Sequence, residues 1–502
     1  YKSNKDINKF DYDSKVEFTE KFRNFQRKNR HINRPGFDNF NLICTQFLKT
    51  SEGQEINKRL MASNNHLEIE STKLSKQSIL KIKNNDNILG LFLPNNSFKL
   101  DISNQKNDSN ASVIVDTEGW RGTNLRACVF EGSPGNDNGL TGFNQINNNI
   151  DSDGQRSGIQ EVYKNSTFPG GKDSDHATTV TAIITNRAPI VNQRGFAPDS
   201  LIYCANNYSN KSLTWAVQDK HCRVVNQSFH RNNEWDSANQ EEDDIYKDYL
   251  ALNFPYPFIT SASGNWSSSS EDEPGGVDGS LEFVNHKCYN CVTVGNVRDF
   301  VSNSPNGMRP SSVWKNPDSD HGDWEFPEIC ANGTEVSYNG EDRGSGTSFS
   351  SPAVAGTALL IQNADNDLLN WPEGVKAILL AGAIHNIRGS TWFSDVINNN
   401  DGYDGCGAMD TKESIRITKK TFTSGRVYMN NKPKPRGWSI GTLKNSNFTG
   451  SKDYISYFIG VPNLSSDGST KSKIRVALTW DSKIASIFGI PLMSKLTTDH
   501  DL

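Results

Sequence analysis

Long apolar runs, a cysteine framework and a recognisable binding motif for nucleic acid are all missing from this chain. The longest apolar stretch, Val375 to Ala383, is followed by His385 and Arg388 and falls well short of the roughly 18 to 20 residues a membrane helix needs. It reads as a buried helix, and no membrane partner is expected. Eight cysteines are scattered over 502 residues, and only Cys288 and Cys291 are closely spaced. Zinc would need two further ligands at a suitable spacing, and none can be named. Cys204, within Leu201-Ile-Tyr-Cys204-Ala, is of the kind that packs as a small hydrophobe, so mostly free thiols are expected. That leans toward a cytoplasmic setting. No signal peptide is recognisable and the chain opens on Tyr1, which reads as a processed or trimmed start that leaves secretion open.

Charge is unevenly placed. Residues 1–100 carry 18 Lys+Arg against 11 Asp+Glu, while residues 101–502 carry 35 against 47. The basic residues are interleaved with acids and lack any nucleic-acid motif, so a solvated surface, or docking on the acidic remainder, is expected and nucleic acid is not.

Three regions follow from the pattern along the chain: 1–110, 111–412 and 413–502. The first opens with a capping-box signature, Ser14 and Glu17, ahead of Phe18, Phe22 and Phe25 at helical spacing. A strand, helix and strand are expected between residues 64 and 93, and the Asn-rich tract Asn104 to Asn110 reads as a linker. In the second region, short apolar runs alternate with helical ones: Val113 to Val115, Leu201 to Ala205, Val224-Val225, Phe258 to Ala262 and Val292 to Val294. This predicts an α/β fold, with a mostly parallel sheet covered by helices on both faces and functional residues at the carboxyl ends of strands. The third region, with runs at Ser414–Thr418, Arg426–Met429, Tyr454–Val461 and Lys473–Trp480, predicts an antiparallel β-sandwich.

Four residues stand at the ends of these runs. Asp116 follows Val113-Ile-Val115, His176 begins the helical Asp175-His-Ala-Thr-Thr-Val180, Asn265 follows Ser261-Ala-Ser-Gly264, and Ser348 lies between Gly344-Ser-Gly346 and the apolar Ala353 to Ile361. Taken alone, Ser348 is as good a helix cap as a nucleophile, and the others have ordinary turn or cap readings. Together they supply what serine nucleophilic chemistry needs: a hydroxyl, an imidazole base, a carboxylate to orient it and a donor for the oxyanion. The order Asp, His, Ser is one in which that triad occurs.

At this point the sequence resembles the subtilisin-like serine peptidases. Further blocks carry the resemblance, namely Gly195 to Tyr203, Val224 to Phe229, Val292 to Val297, Pro327 to Gly333 and Gly405 to Asp410. The resemblance implies an endopeptidase with Ser348 as nucleophile, His176 as base, Asp116 orienting it and Asn265 in the oxyanion hole. It also implies substrate backbone against Ser228, Phe229 and Gly264, a specificity floor near Glu282 and Phe283, a protein or peptide substrate, and no required cofactor. Structural calcium is common in such proteins, but no ligand loop is assignable here. Residues 64–100 resemble the end of a propeptide that docks on the catalytic domain. Arg475 to Asp481 and Asp499 to Leu502 resemble part of a C-terminal sandwich, expected to be incomplete. Ala177, Glu118 and His230 stand where the family usually has Gly, which leaves an inactive peptide-binding relative as the alternative, beside an acid-acting sedolisin-like enzyme.

Overall fold

The computed structural model describes residues 106, 108–131, 159–163, 175–187, 194–205, 209–229, 237–266, 282–298, 300–301, 304–305, 307–315, 326–338, 341–383, 404–419, 428–429, 432–433, 436–441, 475–487 and 490–495. The expected elements of the first hundred residues, the run 454–461, the acidic residues 271–273 and His230 lie outside them. The chain divides into two compact units. The larger holds the described residues from 106 to 481 except 209–211; the smaller holds those three and an antiparallel hairpin of Lys483–Ile487 with Ile490–Lys495.

The main sheet of the larger unit has seven described strands: β1 (Arg126–Phe130), β2 (Ile159–Val162), β3 (Leu201–Ala205), β4 (Val224–Gln227), β5 (Phe258–Ala262), β6 (Cys291–Val297) and β7 (Ile329–Asn332). They form one parallel sheet in the order β2-β3-β1-β4-β5-β6-β7. Every residue of β4, β5 and β6 is buried, as expected for a sheet covered on both faces. Alternation along the strands divides the core in two. Ala127, Val129, Val224, Phe258 and Val292 face one apolar cluster, and Cys128, Phe130, Val225, Ile259 and Cys291 face the other. The strand order reverses between β1 and β4, which opens a crevice at their carboxyl ends.

Five helices matter for that crevice: α1 (Asp175–Thr185), α2 (Glu242–Ala251), α3 (Thr347–Ala364), α4 (Pro372–Gly382) and α5 (Thr411–Thr418). Helix α3 is buried from Thr347 to Gln362 and packs on β4, β5, β6 and α1. Its small residues permit this depth. A Cβ at Gly356 would come within 2.4 Å of the Phe196 Cβ, so only glycine allows the approach made there.

Pro352 lies inside α3 and has no N–H to donate to the carbonyl four residues back, that of Ser348. A side chain from another element fills the gap: Ser228, just beyond β4, donates its hydroxyl to the Ser348 carbonyl at 2.6 Å. Ser228 Oγ accepts in turn from Asn226 Nδ2 at 2.8 Å, and Asn226 Oδ1 accepts from Thr260 and from Ser351 of α3. Buried polar groups thus join the helix N-terminus to the sheet.

Three expectations are corrected. Residues Val113–Thr117 form a helical turn instead of a strand, because a short apolar run fits a buried helix as well as a strand. Thr411–Thr418 is also helical, capped by Asp410, whose Oδ1 accepts from the Glu413 N–H at 2.9 Å. The hydroxyls of Ser414 and Thr418 bond carbonyls four residues back, which offsets the strand preference of this segment. Among the described cysteines Cys288 and Cys291 are joined as a disulfide, and Cys128, Cys204, Cys222, Cys330 and Cys406 are free, in keeping with the expected mostly free thiols. Burial pushes the Cys204 and Cys222 thiols well up, in keeping with inert core residues. In the third region the described residues from 475 to 480 are not strand, and Tyr428–Met429 pairs with Lys432–Pro433 as an antiparallel hairpin.

Segment 475–481 docks on α4. Thr479 Oγ1 donates to the Glu373 carbonyl at 2.7 Å, and the Arg475 guanidinium donates to the Ala383 carbonyl. Burial, reinforced by the neighbouring Asp481 charge, pushes the Glu373 carboxyl up to about 7, and burial pushes Asp481 up to about 6.

Two outcomes follow from these contacts. Ser228→Ala strips a partner from both Asn226 Nδ2 and the Ser348 carbonyl, and should cost about 1–3 kcal/mol in urea denaturation. Glu373 and Asp481 hold protons more tightly when folded than in the unfolded chain, whose carboxyls titrate near 4. Their contribution is full below pH about 4 and is lost as the pH rises through about 7. Thermal melts of Glu373→Gln should therefore lose less stability between pH 5 and 8 than the parent, roughly the window of those shifts.

Candidate active site

The carboxyl ends of β1, β4 and β5 converge near the N-termini of α1 and α3. Helix α3 begins at Thr347, so Ser348 lies in its first turn, where backbone N–H groups have no intrahelical acceptor. Ser348 is buried, at 1% exposure. His176, 2% exposed, is the second residue of α1, and its ring stands 5.3 Å from that of Phe349, the neighbour of Ser348. The packing of α1 against α3 thus brings the expected base and nucleophile to one place.

The carboxylate facing His176 is not Asp116. It is Glu131, the residue directly after β1, with Oε2 at 3.4 Å from His176 Nδ1 and both side chains buried. The Glu131 N–H continues the ladder by donating to the Ala205 carbonyl at 3.0 Å, which fixes its place at the mouth of the crevice. Asp116 is held elsewhere. It sits in the helical turn Val113–Thr117, where it accepts from Lys106 Nζ at 2.8 Å and pairs with Arg194 at 3.5 Å. A signal for Glu131 does exist in the sequence: the apolar run Ala127-Cys-Val-Phe130 ends in an acid followed by Gly132.

Asn265 comes three residues after β5. Its Oδ1 accepts from the Thr347 N–H at 3.0 Å, which orients the carboxamide and ties it to the residue before Ser348. Its buried Nδ2 has no hydrogen-bond partner among the described residues, so one N–H₂ donor is presented to the site. Gly264 is bound to the same residue, with its N–H on Thr347 Oγ1 at 3.2 Å. Its φ of +114° requires glycine, and so does the space around it, since a Cβ there would lie 2.3 Å from Asn285 Nδ2.

Of the expected substrate contacts, Ser228 and Phe229 turn their side chains inward. Ser228 Oγ serves the Ser348 carbonyl, and Phe229 packs edge-on against Phe130 while its carbonyl bonds His286 Nε2 at 2.7 Å. Phe283, at the expected specificity floor, carries the Lys315 ammonium 4.0 Å above its ring. The acidic run Glu241 to Asp244 forms the capped N-terminus of α2, where negative charge meets the helix dipole.

One group among the described residues has metal-ligating atoms close together, Asp248 with Cys288 and Cys291. Here the sulfurs are bonded to each other, and the Asp248 oxygens accept from the N–H groups of Tyr289 and Asn290 and from Gln240 Nε2. It is a capped turn leading into β6.

Solved structures similar to the chain include the patellamide maturation protease PatA, at 16% identity over 59% of this chain and 97% of that one, with a TM-score of 0.39. The prenylagaramide maturation protease PagA shares 18% identity over 61% of this chain and 97% of its own, with a TM-score of 0.39. MycP1 with its N-terminal propeptide removed shares 19% over 61% and 96%, with a TM-score of 0.41. No curated protein matches the chain. The family model for peptidase S8, the subtilase family, matches residues 63–413, and the chain belongs to that family of serine peptidases.

Proposed function

We infer that the protein is a serine endopeptidase acting through Ser348, His176 and Glu131. The observation that carries this reading is the buried imidazole of His176, set between the Glu131 carboxylate and the helix turn that bears Ser348. Ser348 Oγ attacks the peptide carbonyl carbon and passes its proton to His176. Glu131 at Nδ1 holds the imidazole in the right tautomer and balances the imidazolium that forms. The tetrahedral oxyanion takes hydrogen bonds from Asn265 Nδ2 and the Ser348 N–H, and collapse releases the amine with the proton from His176. Water then repeats the sequence on the acyl-enzyme. At 3.4 Å the Glu131–His176 contact is long for a hydrogen bond, as such contacts often are before substrate binds. An imidazole in the base position favours this over a sedolisin-like acid enzyme. Residues 1–110 are read as a region that docks on the catalytic domain.

Labelling with a fluorophosphonate, on the chain and on a form lacking residues 1–100, tests the reading. The parent should label and Ser348→Ala should not, with kcat on a peptide falling about a million-fold. Glu131→Gln should lower kcat/KM by about 10²–10⁴ with little change in Tm. Asp116→Asn should do the opposite, lowering Tm by unpairing the buried Lys106 while kcat/KM of the folded protein is kept. Labelling of Ser348→Ala, or equal effects of the two acid variants, would refute the assignment.

A further inference from the structure

We propose that His286, backed by Lys247 and Asp244, is a positioning residue that sets the Ser228–Phe229 backbone for an extended peptide, an inference that rests on the peptidase reading above. The trio comes from two elements outside the triad: Asp244 and Lys247 from α2, and His286 from the segment that enters β6. All three are buried, at 1%, 1% and 0% exposure. Lys247 Nζ pairs with Asp244 Oδ1 at 3.0 Å and lies 3.3 Å from His286 Nδ1; His286 Nε2 lies 2.7 Å from the Phe229 carbonyl.

The geometry fixes the proton positions. An ammonium only donates, so Nδ1 faces it as an acceptor; a carbonyl only accepts, so Nε2 carries the hydrogen. Lys247 therefore locks the neutral tautomer whose N–H is aimed at Phe229. The imidazole is also held from its own backbone, since Thr293 Oγ1 donates to the His286 carbonyl at 3.0 Å, and its ring meets that of Phe229 edge-on. Well-packed apolar residues would fill this volume without the cost of burying charge. What the trio adds is a single directed donor, delivered to the residue next to Ser228, whose hydroxyl holds the Ser348 carbonyl. Read as the substrate-pairing segment, Ser228–Phe229 is thus held at the Phe229 carbonyl by a group outside the triad.

The test compares His286→Leu, His286→Asn and His286→Gln in the full chain, with two readouts. One is hydrolysis of a peptide long enough to occupy the segment. The other is the rate of fluorophosphonate labelling, which engages the nucleophile and oxyanion donors alone. The Gln Nε2 reaches where the imidazole Nε2 lies, whereas Asn stops short. Leu and Asn should raise KM about tenfold, the equivalent of one lost hydrogen bond, with kcat and labelling rate close to the parent. Gln should restore the parental KM. Should the Leu variant fail to fold, the Asn and Gln pair carries the comparison. The proposal is overturned if KM is unchanged in Asn, if Gln is no better than Asn, or if labelling falls as far as peptide cleavage. A parent chain that takes no label overturns the peptidase reading itself, a result separate from all of these.

Discussion

The carbonyl of Ser348 has no helical donor, because the residue four positions on is Pro352, and the site is organised around how that gap is closed. Ser228 closes it from the end of β4, Asn226 orients Ser228, and hydroxyls from β5 and α3 orient Asn226. A proline that weakens one helix thus couples the Ser348 backbone to the central strands. On the other side, Thr347 is bound to Gly264 and to Asn265. Ser348 and Asn265 are therefore placed by the same few hydrogen bonds. Displacing one displaces the other.

This explains why so much polar matter is buried in a region that is otherwise apolar. Each buried donor or acceptor left unmade costs about 1–3 kcal/mol, so the network is stable only when complete. Completeness also restricts its geometry to one arrangement. The same logic extends to the outer end of β6, where Asp248 takes the N–H groups of Tyr289 and Asn290 while Lys376 donates to the carbonyls of Tyr289 and Cys291 and pairs with Glu328. Burial pushes the Glu328 carboxyl up, opposed by Lys376 and by the Thr293 N–H that it accepts. Opposite charges clamp the two sides of one turn, which fixes the segment that carries His286.

The parallel sheet and the central helix are legible in the sequence because their signals are local and strong. Fully apolar runs such as Phe258 to Ala262 fit a doubly covered strand, and the Gly-Ser approach to Ala353–Ile361 marks a helix start. Ser348, His176 and Asn265 are visible for the same reason, as polar residues at element ends. Asp116 misleads because Val113-Ile-Val115 is too short for periodicity to separate strand from helix. What decides it is tertiary: Lys106 and Arg194 hold the carboxylate, and neither pairing is visible in a linear pattern. The trio of Asp244, Lys247 and His286 is invisible too. Asp244 and Lys247 pair within one helix, but His286, which Lys247 meets, lies 39 residues further along the chain.

A glutamate that faces His176, as Glu131 does, places a specific demand on the fold. Its carboxylate hangs from one more rotatable bond than that of aspartate, and an orienting group is useful only if it is itself oriented. A solvated glutamate would spend its time in other rotamers and leave the imidazole free to turn. Here the side chain is 4% exposed, its backbone is pinned by the bond to Ala205, and the strand before it is buried on both faces. Packing therefore removes the freedom that the extra methylene brings. The tight burial of Phe130 against Phe229 belongs to the same device, since it joins the strand end bearing Glu131 to the segment that serves Ser348.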